Sequence, residues 1–293
     1  MVKILVCGGL LIDRYISIDR YPLRGGDGYI TDSFDVVGGC AINMAKTIRE
    51  LGAEVYIVSY IGNDIPGNAI LDFMRKGRLP MDCVKQSNGN TGYCFVFLEP
   101  DGERTFLTYK GCETEFTDEL IPGDMVTSCP VAAVTGYYLL DDSSGRLICR
   151  LKELKSNGCK IVFDPSPLAD KIQADFLKEI LAISDVIIPN ETEAEFLAGF
   201  SGEKTSEQWA FSCNARSSVV IIKKGADGGM LYQDGEKIPY AASCADVVDT
   251  TGAGDSFTGA IAYALGNGVP LEDGVVLAAQ AAGRIVSVKG PHV

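Results

Sequence analysis

Short apolar segments alternate with helical segments through much of the chain, and this alternation limits the possible folds most strongly. In the second half the apolar segments cover 131–136, 160–166, 185–190 and 218–225, and the helical segments cover 144–158, 174–184 and 191–200. In the first half a strand at 2–9 and a strand at 54–62 flank a helix at 41–52, and a helix follows at 69–77. Strands that alternate with helices build a mostly parallel sheet with helices on both faces. The sequence therefore predicts an α/β fold with a mostly parallel central sheet flanked by helices.

Two pairs of segments do not fit this alternation. The first pair is 15–20 and 29–37, and the second pair is 91–99 and 104–110. Their partial alternation of apolar and polar residues is typical of half-exposed strands, and a hairpin turn at 100–102 joins the second pair. We expect a small antiparallel β lid, contributed by about 13–37 and 90–112. No linker, repeat or low-complexity stretch divides the sequence, so we predict a single domain over 1–293.

The composition excludes several classes of protein. The chain has 293 residues and a formal net charge of −13, so its surface repels nucleic acids and anionic membranes. The sequence shows no export signal and no apolar stretch long enough to span a bilayer. The ten cysteines have no CxxC spacing, and the single histidine is His292, which argues against a zinc site. We therefore expect reduced thiols and a cytoplasmic protein.

The stretch DTTGAGDSFTGA, residues 249–260, places a carboxylate directly after a glycine turn. A helix that begins near Gly254 or Asp255 leaves its first N–H groups unpaired, and these groups favour an anion. Gly252 and Gly254 would let the backbone approach a phosphate closely. A carboxylate here would repel that phosphate, but it could take the proton of an attacking hydroxyl. The residues alone leave two interpretations open: an anion hole with a general base, or a glycine turn before a helix that Asp255 stabilises.

Commoner nucleotide-binding patterns are absent from the sequence. There is no GxxxxGK[ST] loop, the protein-kinase signatures are missing, and GAGDSFTG fails the GxGxxG pattern because position 257 is Phe. A dinucleotide-dependent oxidoreductase is therefore disfavoured. Asn190 and Glu193 follow a predicted strand with the spacing of a helix capping box, so by themselves they indicate the beginning of a helix.

Two signatures resemble those of a known family. DTTGAGDSFTGA is similar to the C-terminal signature of the PfkB-type (ribokinase-like) carbohydrate kinases, and GGCAINMA at 38–45, followed by Gly52 and Gly62, is similar to their N-terminal signature. The resemblance covers essentially the whole chain up to its short tail. It implies a ribokinase-like fold and ATP-dependent phosphorylation of a hydroxymethyl group of a small sugar or nucleoside. The alternative is a member of the same fold that senses a sugar or nucleotide without catalysis. The catalytic residues implied are Asp255 as general base and Gly252, Ala253 and Gly254 as anion hole.

The resemblance also implies which residues bind the acceptor. These candidates are Asp13, Gly38, Gly39, Asn43, Asp27 and Arg104. Asp13 would bind the hydroxyls, because one carboxylate accepts hydrogen bonds from two of them. Asn43 would offer a donor and an acceptor, and Cys40 would line the site. For Asp27 and Arg104, a solvated lid turn and a solvated hairpin are equal alternatives.

On the nucleotide side, the resemblance implies ATP, Mg²⁺ and a monovalent cation such as K⁺. Asn190 and Glu193 would hold Mg²⁺ largely through water, because Mg²⁺ keeps several waters and few protein ligands. Lys223, or its neighbour Lys224, would neutralise phosphate charge. The other nucleotide-binding candidates are Gly225, Gly228, Thr251 and Gln280, and the candidate ligand of the monovalent cation is Asp249.

The sequence departs from the family pattern at its end, where KGPHV stops earlier than is usual. This departure bears on the cation site, and it leaves His292 as either an adenine contact or a frayed terminus. The expected partners are small molecules, with neither nucleic acid nor membrane among them. Because exposed strand edges and faces favour being covered, we also expect a homodimer that forms through the lid.

Overall fold

The computed structural model of the protein describes residues 1–101, 103–141, 144–246, 248 and 250–287. Asp249 and His292 lie outside the described residues. The strands are β1 (Lys3–Cys7), β2 (Leu11–Ile18), β3 (Ile30–Gly38), β4 (Glu54–Gly62), β5 (Val84–Ser87), β6 (Tyr93–Leu98), β7 (Arg104–Tyr109), β8 (Val131–Thr135), β9 (Lys160–Asp164), β10 (Val186–Ile187), β11 (Val219–Lys223), β12 (Gly229–Gln233) and β13 (Glu236–Tyr240). The α-helices are α1 (Cys40–Glu50), α2 (Ile65–Lys76), α3 (Gly123–Ser128), α4 (Ser144–Ser156), α5 (Ala174–Ile183), α6 (Glu191–Phe200), α7 (Ser206–Asn214), α8 (Ala253–Gly266) and α9 (Leu271–Val286).

The main sheet has the strand order β13-β12-β11-β10-β9-β8-β1-β4-β5. Every neighbouring pair from β11 to β5 is parallel, and β12 and β13 extend the sheet in antiparallel fashion at one edge. The predicted mostly parallel sheet is therefore confirmed. Because parallel strands end at the same edge, the loops after β1, β8, β9 and β11 come together there, and such an edge commonly carries the ligand site.

Helices pack on both faces of this sheet, as the central strand β1 illustrates. Ile4 and Val6 belong to one buried apolar cluster and Leu5 and Cys7 to the other, because successive side chains of a strand point to opposite faces. The first cluster includes side chains of α1, α2, α8 and α9, and the second includes side chains of α3 to α7. This double burial explains why the strands are almost continuously apolar. Within the described ranges, no helix combines the length and the apolar character that crossing a bilayer requires.

A separate small sheet with the order β3-β2-β6-β7 forms the predicted lid. β2 pairs with β3, and β6 with β7, in antiparallel fashion, whereas the central pair β2–β6 is parallel. The lid is thus two antiparallel hairpins joined side by side. The connection is parallel because β2 and β6 both run outward from the main sheet.

Several elements differ from the sequence-based expectations. β2 begins at Leu11 rather than at 15. Helix α2 begins at Ile65 rather than at 69, because the Asp64 side chain caps it by accepting a hydrogen bond from the Gly67 N–H. The pattern of apolar residues did not predict β5, α3 or α7. Helix α8 begins at Ala253, slightly earlier than expected. Despite these differences, the two signature stretches lie where expected, at the N-termini of α1 and α8.

The second lid hairpin is fastened to the main body by one buried carboxylate. Glu113 accepts hydrogen bonds from the N–H of Gly92, just before β6, at 3.1 Å, and from the N–H of Gly111, just after β7, at 2.9 Å. The Glu113 side chain is only 4% exposed. A Cβ at Gly9, in the loop between β1 and β2, would lie 2.8 Å from its Cγ. Glu113 therefore contacts both connections through which the chain enters the lid.

Candidate active site

The N-terminus of α8 has the geometry that the DTTGAGDSFTGA stretch predicted. Gly252 is the N-cap residue and has φ of 79°, a left-handed conformation that suits glycine, and no side chain of the described residues caps this end. The Ala253 N–H donates to the Thr250 carbonyl at 3.3 Å and the Ser256 N–H to the Gly252 carbonyl at 2.9 Å, which leaves the N–H groups of Gly254 and Asp255 as the candidates for binding an anion. A Cβ at Gly254 would lie 3.6 Å from Nζ of Lys223, so a lysine ammonium adjoins the same turn.

Asp255 occupies the first turn of α8 and is held by a second helix. Asn43, in the first turn of α1 and 5% exposed, donates a hydrogen bond from Nδ2 to Oδ2 of Asp255 at 2.8 Å. Burial raises the pKa of Asp255 to about 6, although the hydrogen bond from Asn43 opposes the shift, and the nearby Asp164 charge adds to it. A carboxylate with a pKa near neutrality is suited to accept a proton and release it again. The two signature stretches thus meet at one carboxylate.

Asp13 lies on β2 at the base of the lid and approaches this carboxylate. Burial, and next the charge of Asp255, raise the pKa of Asp13 to about 7. Gly38 is required beside it, because a Cβ at Gly38 would overlap the Asp13 carboxyl group. Gly39 has φ of 101°, and a Cβ there would overlap the Gly9 carbonyl. The predicted acceptor residues Asp13, Gly38, Gly39 and Asn43 therefore come together around Asp255.

Cys40 also belongs to this group. Burial, followed by the charge of Asp255, raises the pKa of its thiol well above the ordinary value. A thiol with a raised pKa is a poor nucleophile at neutral pH. The structure therefore supports the interpretation of Cys40 as a lining residue.

Asp27 and Arg104 lie away from this group. Arg104 lies opposite Leu98 of β6, whereas Asp13 lies opposite Cys94 of the same strand. These two positions on β6 are four residues apart, which is about 13 Å along the strand. Asp27 is in the exposed loop between β2 and β3, and its carbonyl accepts a hydrogen bond from Arg20. Both residues remain sequence-based predictions that the described geometry does not bring to Asp255.

Asn190 and Glu193 form the capping box that their spacing indicated. Oδ1 of Asn190 accepts from the Glu193 N–H at 2.8 Å, and Oε2 of Glu193 accepts from the Asn190 N–H at 2.8 Å. Glu193 is 7% exposed, and burial raises its pKa, while the Lys223 charge opposes the shift. In the described part of the chain, no group of three or more potential ligands forms a metal cage. Nδ2 of Asn190 donates to Oε1 of Glu193 at 2.9 Å, so every side-chain oxygen of the pair already accepts a protein hydrogen bond, and the pair suits a Mg²⁺ ion that is held through its own waters.

The sequence motifs do not include two residues of this site. Asp164 ends β9 and accepts hydrogen bonds from Nζ of Lys223 at 2.9 Å and from Oγ1 of Thr258 at 2.7 Å. Tyr137 follows β8, and burial raises its pKa, with further contributions from the charges of Cys40, Asp255 and Asp164. The signal that could have found them is position, since each comes directly after, or at the end of, a predicted parallel strand.

The remaining nucleotide candidates are spread over two loops and one helix. Gly225 and Gly228 have φ of 57° and 78° in the turn between β11 and β12, and a Cβ at Gly228 would overlap the Tyr240 carbonyl. Thr251 directly precedes the Gly252 cap. Gln280 is exposed on α9. Lys224, the alternative to Lys223, forms a surface ion pair with Glu191 at 2.9 Å instead of entering the site.

Comparison with known proteins agrees with this arrangement. The family model described as pfkB family carbohydrate kinase matches residues 3–293. The ribokinase of Arabidopsis thaliana is 30% identical over 98% of this chain and 76% of its own length, and an uncharacterized sugar kinase of Escherichia coli is 29% identical over 98% of this chain and 89% of its own length.

Solved structures show the same relationship. The ribokinase of Thermotoga maritima superposes with a TM-score of 0.85 at 26% identity, over 99% of this chain and 94% of that one. A structure of Arabidopsis thaliana ribokinase complexed with ribose and ATP superposes with a TM-score of 0.82 at 26% identity, over 99% of this chain and 93% of that one. The expected ribokinase-like fold is therefore confirmed, and the chain belongs to the pfkB family of carbohydrate kinases.

Proposed function

We propose that the protein transfers the γ-phosphoryl group of ATP to a hydroxymethyl group of a small sugar or nucleoside, with Asp255 as general base. One observation carries this proposal: the Asp255 carboxylate, held by Asn43, lies in the first turn of α8, at a helix N-terminus that no side chain of the described residues caps and that would favour an anion. A base and an anion site in the same turn suit the transfer of a phosphoryl group to an alcohol. The backbone of Gly252, Ala253 and Gly254 would stabilise the charge of the group in transfer.

The acceptor would lie between the lid base and α1. Asp13 would accept hydrogen bonds from acceptor hydroxyls, and the backbone at Gly38 and Gly39 would allow close approach of a sugar ring. The lid would close over the acceptor and exclude water, which could otherwise accept the phosphoryl group. Asp27 and Arg104 would contact an acceptor only from the outer part of the lid.

The nucleotide would approach along the loops after β10 and β11. Asn190 and Glu193 would hold Mg²⁺ largely through water, and the ion would supply charge neutralisation of the phosphates. The ATP in the Arabidopsis thaliana ribokinase structure supports the choice of nucleotide. Gly225, Gly228, Thr251 and Gln280 would contact the nucleotide, and Asp249 would bind an activating cation such as K⁺.

Three broader features complete the proposal. The chain would act as one domain with its lid. It would form a homodimer through the lid, where Leu23, Tyr29, Ile30, Phe106 and Leu107 are exposed apolar residues. All ten cysteines are free thiols, which supports a reducing compartment such as the cytoplasm.

The experiment that tests the function measures ADP release from Mg-ATP across pentoses, hexoses, sugar acids and nucleosides, with and without K⁺. If ADP release in the presence of one sugar or nucleoside matches the amount of its phosphorylated product, the result would support kinase activity and identify the acceptor. Tight binding of a sugar and of ATP without any product would instead favour the sensing alternative.

A further inference from the structure

The ion pair of Lys223 and Asp164 spans the sheet edge beside α8. Lys223 ends β11 and Asp164 ends β9, with β10 between them, so the two backbones are about 10 Å apart. The Lys223 side chain reaches across the end of β10 and places Nζ 2.9 Å from Oδ2 of Asp164. The side chains of both residues are largely buried, at 17% and 9% exposure. The long lysine side chain is therefore held in one orientation.

Asp164 also connects this pair to the helix that carries Asp255. Oγ1 of Thr258 donates to the same Oδ2 at 2.7 Å, and Thr258 lies one turn after Asp255 on α8. The backbone N–H of Ser166 donates to the other oxygen, Oδ1, at 3.2 Å. Each oxygen of Asp164 thus has a partner, and the position of the lysine is fixed relative to α8.

The Lys223 ammonium adjoins the anion site itself. A Cβ at Gly254 would lie 3.6 Å from Nζ, which places the ammonium against the last glycine of the glycine turn. The neighbouring Lys224 points elsewhere and pairs with Glu191 on the surface. Of these two adjacent lysines, Lys223 is therefore the one that faces the first turn of α8.

We propose that Lys223 binds the phosphoryl group in transfer, and that Asp164 is the positioning residue that holds the Lys223 ammonium beside Gly254. This inference deepens the proposed kinase activity and rests on it. In the step, the acceptor oxygen forms a bond to the γ-phosphorus and its proton passes to Asp255. The bond from the γ-phosphorus to the β,γ-bridging oxygen breaks, and its electron pair leaves on ADP. Lys223 keeps its protons and stabilises the charge on the transferred group.

The test compares the binding of two probes by calorimetry in the presence of Mg²⁺: ADP and the non-hydrolysable β,γ-imido analogue of ATP. The probes differ in the γ-phosphate, so their affinity ratio reports contact with that group. Lys223→Met should lower the affinity for the imido analogue about 10- to 100-fold, as expected for loss of a charge-assisted hydrogen bond, and should leave ADP binding close to normal. Lys224→Met, the matched control, should leave both affinities unchanged.

Asp164 is tested through the lysine that it holds. Asp164→Asn should weaken binding of the imido analogue less than Lys223→Met does, and should leave ADP binding close to normal. Lys223→Arg should retain part of the preference for the imido analogue over ADP that Lys223→Met loses. In turnover, Lys223→Met should lower kcat about 10²- to 10³-fold, with a smaller change in the KM of the acceptor. Lys223→Met leaves a buried carboxylate without its ion pair, so Lys223→Met/Asp164→Asn replaces it if the single variant does not fold.

Three results would overturn the inference. An equal loss of affinity for ADP and for the imido analogue would mean that Lys223 contacts the leaving group, ADP, rather than the γ-phosphate. Unchanged discrimination with a lowered Tm would make the ion pair structural. A changed Mg²⁺ requirement in Asp164→Asn with normal discrimination would assign Asp164 to the metal. The binding test needs no acceptor, so it can fail or succeed independently of the ADP-release assay. If the unmodified protein distinguishes the imido analogue from ADP but releases ADP with none of the acceptors, that result would count against the proposed function alone.

Discussion

At the scale of single residues, Asp255 decides whether the first turn of α8 is a catalytic centre or only a well-stabilised helix end. Asp255→Asn should lower kcat about 10²- to 10⁴-fold, because it removes the group that takes the acceptor proton. ADP release measures this effect. Asp273→Asn is the matched control, since Asp273 also lies in the first turn of a helix but is exposed. Equal, small effects of the two changes would mean that Asp255 only stabilises its helix.

The pH dependence belongs to the same residues. Burial raises the pKa of Asp255 to about 6 and of Asp13 to about 7, so protonated forms prevail below these values. A base works only when deprotonated, and therefore kcat/KM should rise with pH through the range from about 6 to 7. Asn43→Leu removes a hydrogen bond that lowers the pKa of Asp255, so the rise should move to higher pH. A shift to lower pH in a full pH–rate profile would contradict this account.

At the scale of elements, the entry to α1 depends on the absence of a side chain at Gly38. Gly38→Ala would introduce a Cβ that overlaps the Asp13 carboxyl group, so either Asp13 or β3 must move. The KM of the acceptor should increase more than the KM of ATP, and steady-state kinetics with each substrate varied would show it. Gly199→Ala, where a Cβ meets nothing within 4 Å, should leave both values unchanged.

The attachment of the second lid hairpin gives another prediction for an element. The N–H groups of Gly92 and Gly111 both donate to the same carboxylate oxygen of Glu113, so the carbonyl oxygen of Glu113→Gln can keep these two bonds. Its NH₂ group then replaces the oxygen that also accepts from the Gly111 N–H, and this buried donor should lack a partner. The free energy of unfolding should fall by about 1–3 kcal/mol, the usual cost of a buried polar group without a hydrogen bond. Chemical denaturation measures it. Glu115→Gln, two residues away and exposed, should show almost no change.

At the scale of the whole molecule, the exposed lid predicts a dimer. Ile30 on β3 is 64% exposed, and Ile30→Asp should shift the protein toward a monomer in sedimentation velocity, because it places a charge in the expected interface. Ile65 at the start of α2 is 86% exposed on the main body, so Ile65→Asp is the matched control and should leave the assembly unchanged. A monomer at all concentrations for the unmodified protein would refute the lid interface.

The architecture of the whole molecule was largely readable from the sequence, whereas the finer details depended on tertiary contacts. β4 was predicted with the bounds that the structure shows, because a strand buried on both faces is continuously apolar. Helix α7 was not predicted, since its Ser, Trp, Phe and Asn residues are poor helix formers and burial of Trp209 stabilises it instead. The parallel pairing of β2 with β6 was also missed, because alternation of apolar residues does not encode strand direction.

Some residues of the candidate site are likewise predictable from the sequence, and others are recognised only in the folded structure. Asp255 and Asn43 stand in recognisable signature stretches, and the geometry joins them by one hydrogen bond. Asp164 stands in no such stretch, and its importance becomes visible only when the ends of β9 and β11 are brought together. Local sequence identifies residues that act through the backbone around them. It does not identify a residue such as Asp164, which lies outside both signature stretches and whose contacts with Lys223 and Thr258 form only in the folded chain.

The position of β1 has a consequence for the order in which the protein is made. β1 is synthesised before the other strands of the main sheet, yet it lies between β4 and β8, and β8 is complete only when residue 135 has been added. Until then one edge of β1 has no strand beside it, and such unpaired edges favour aggregation. We therefore expect nascent chains that end before β8 to expose an edge of β1 and to require chaperones, and each later strand from β8 to β11 to move the unpaired edge outward along the sheet.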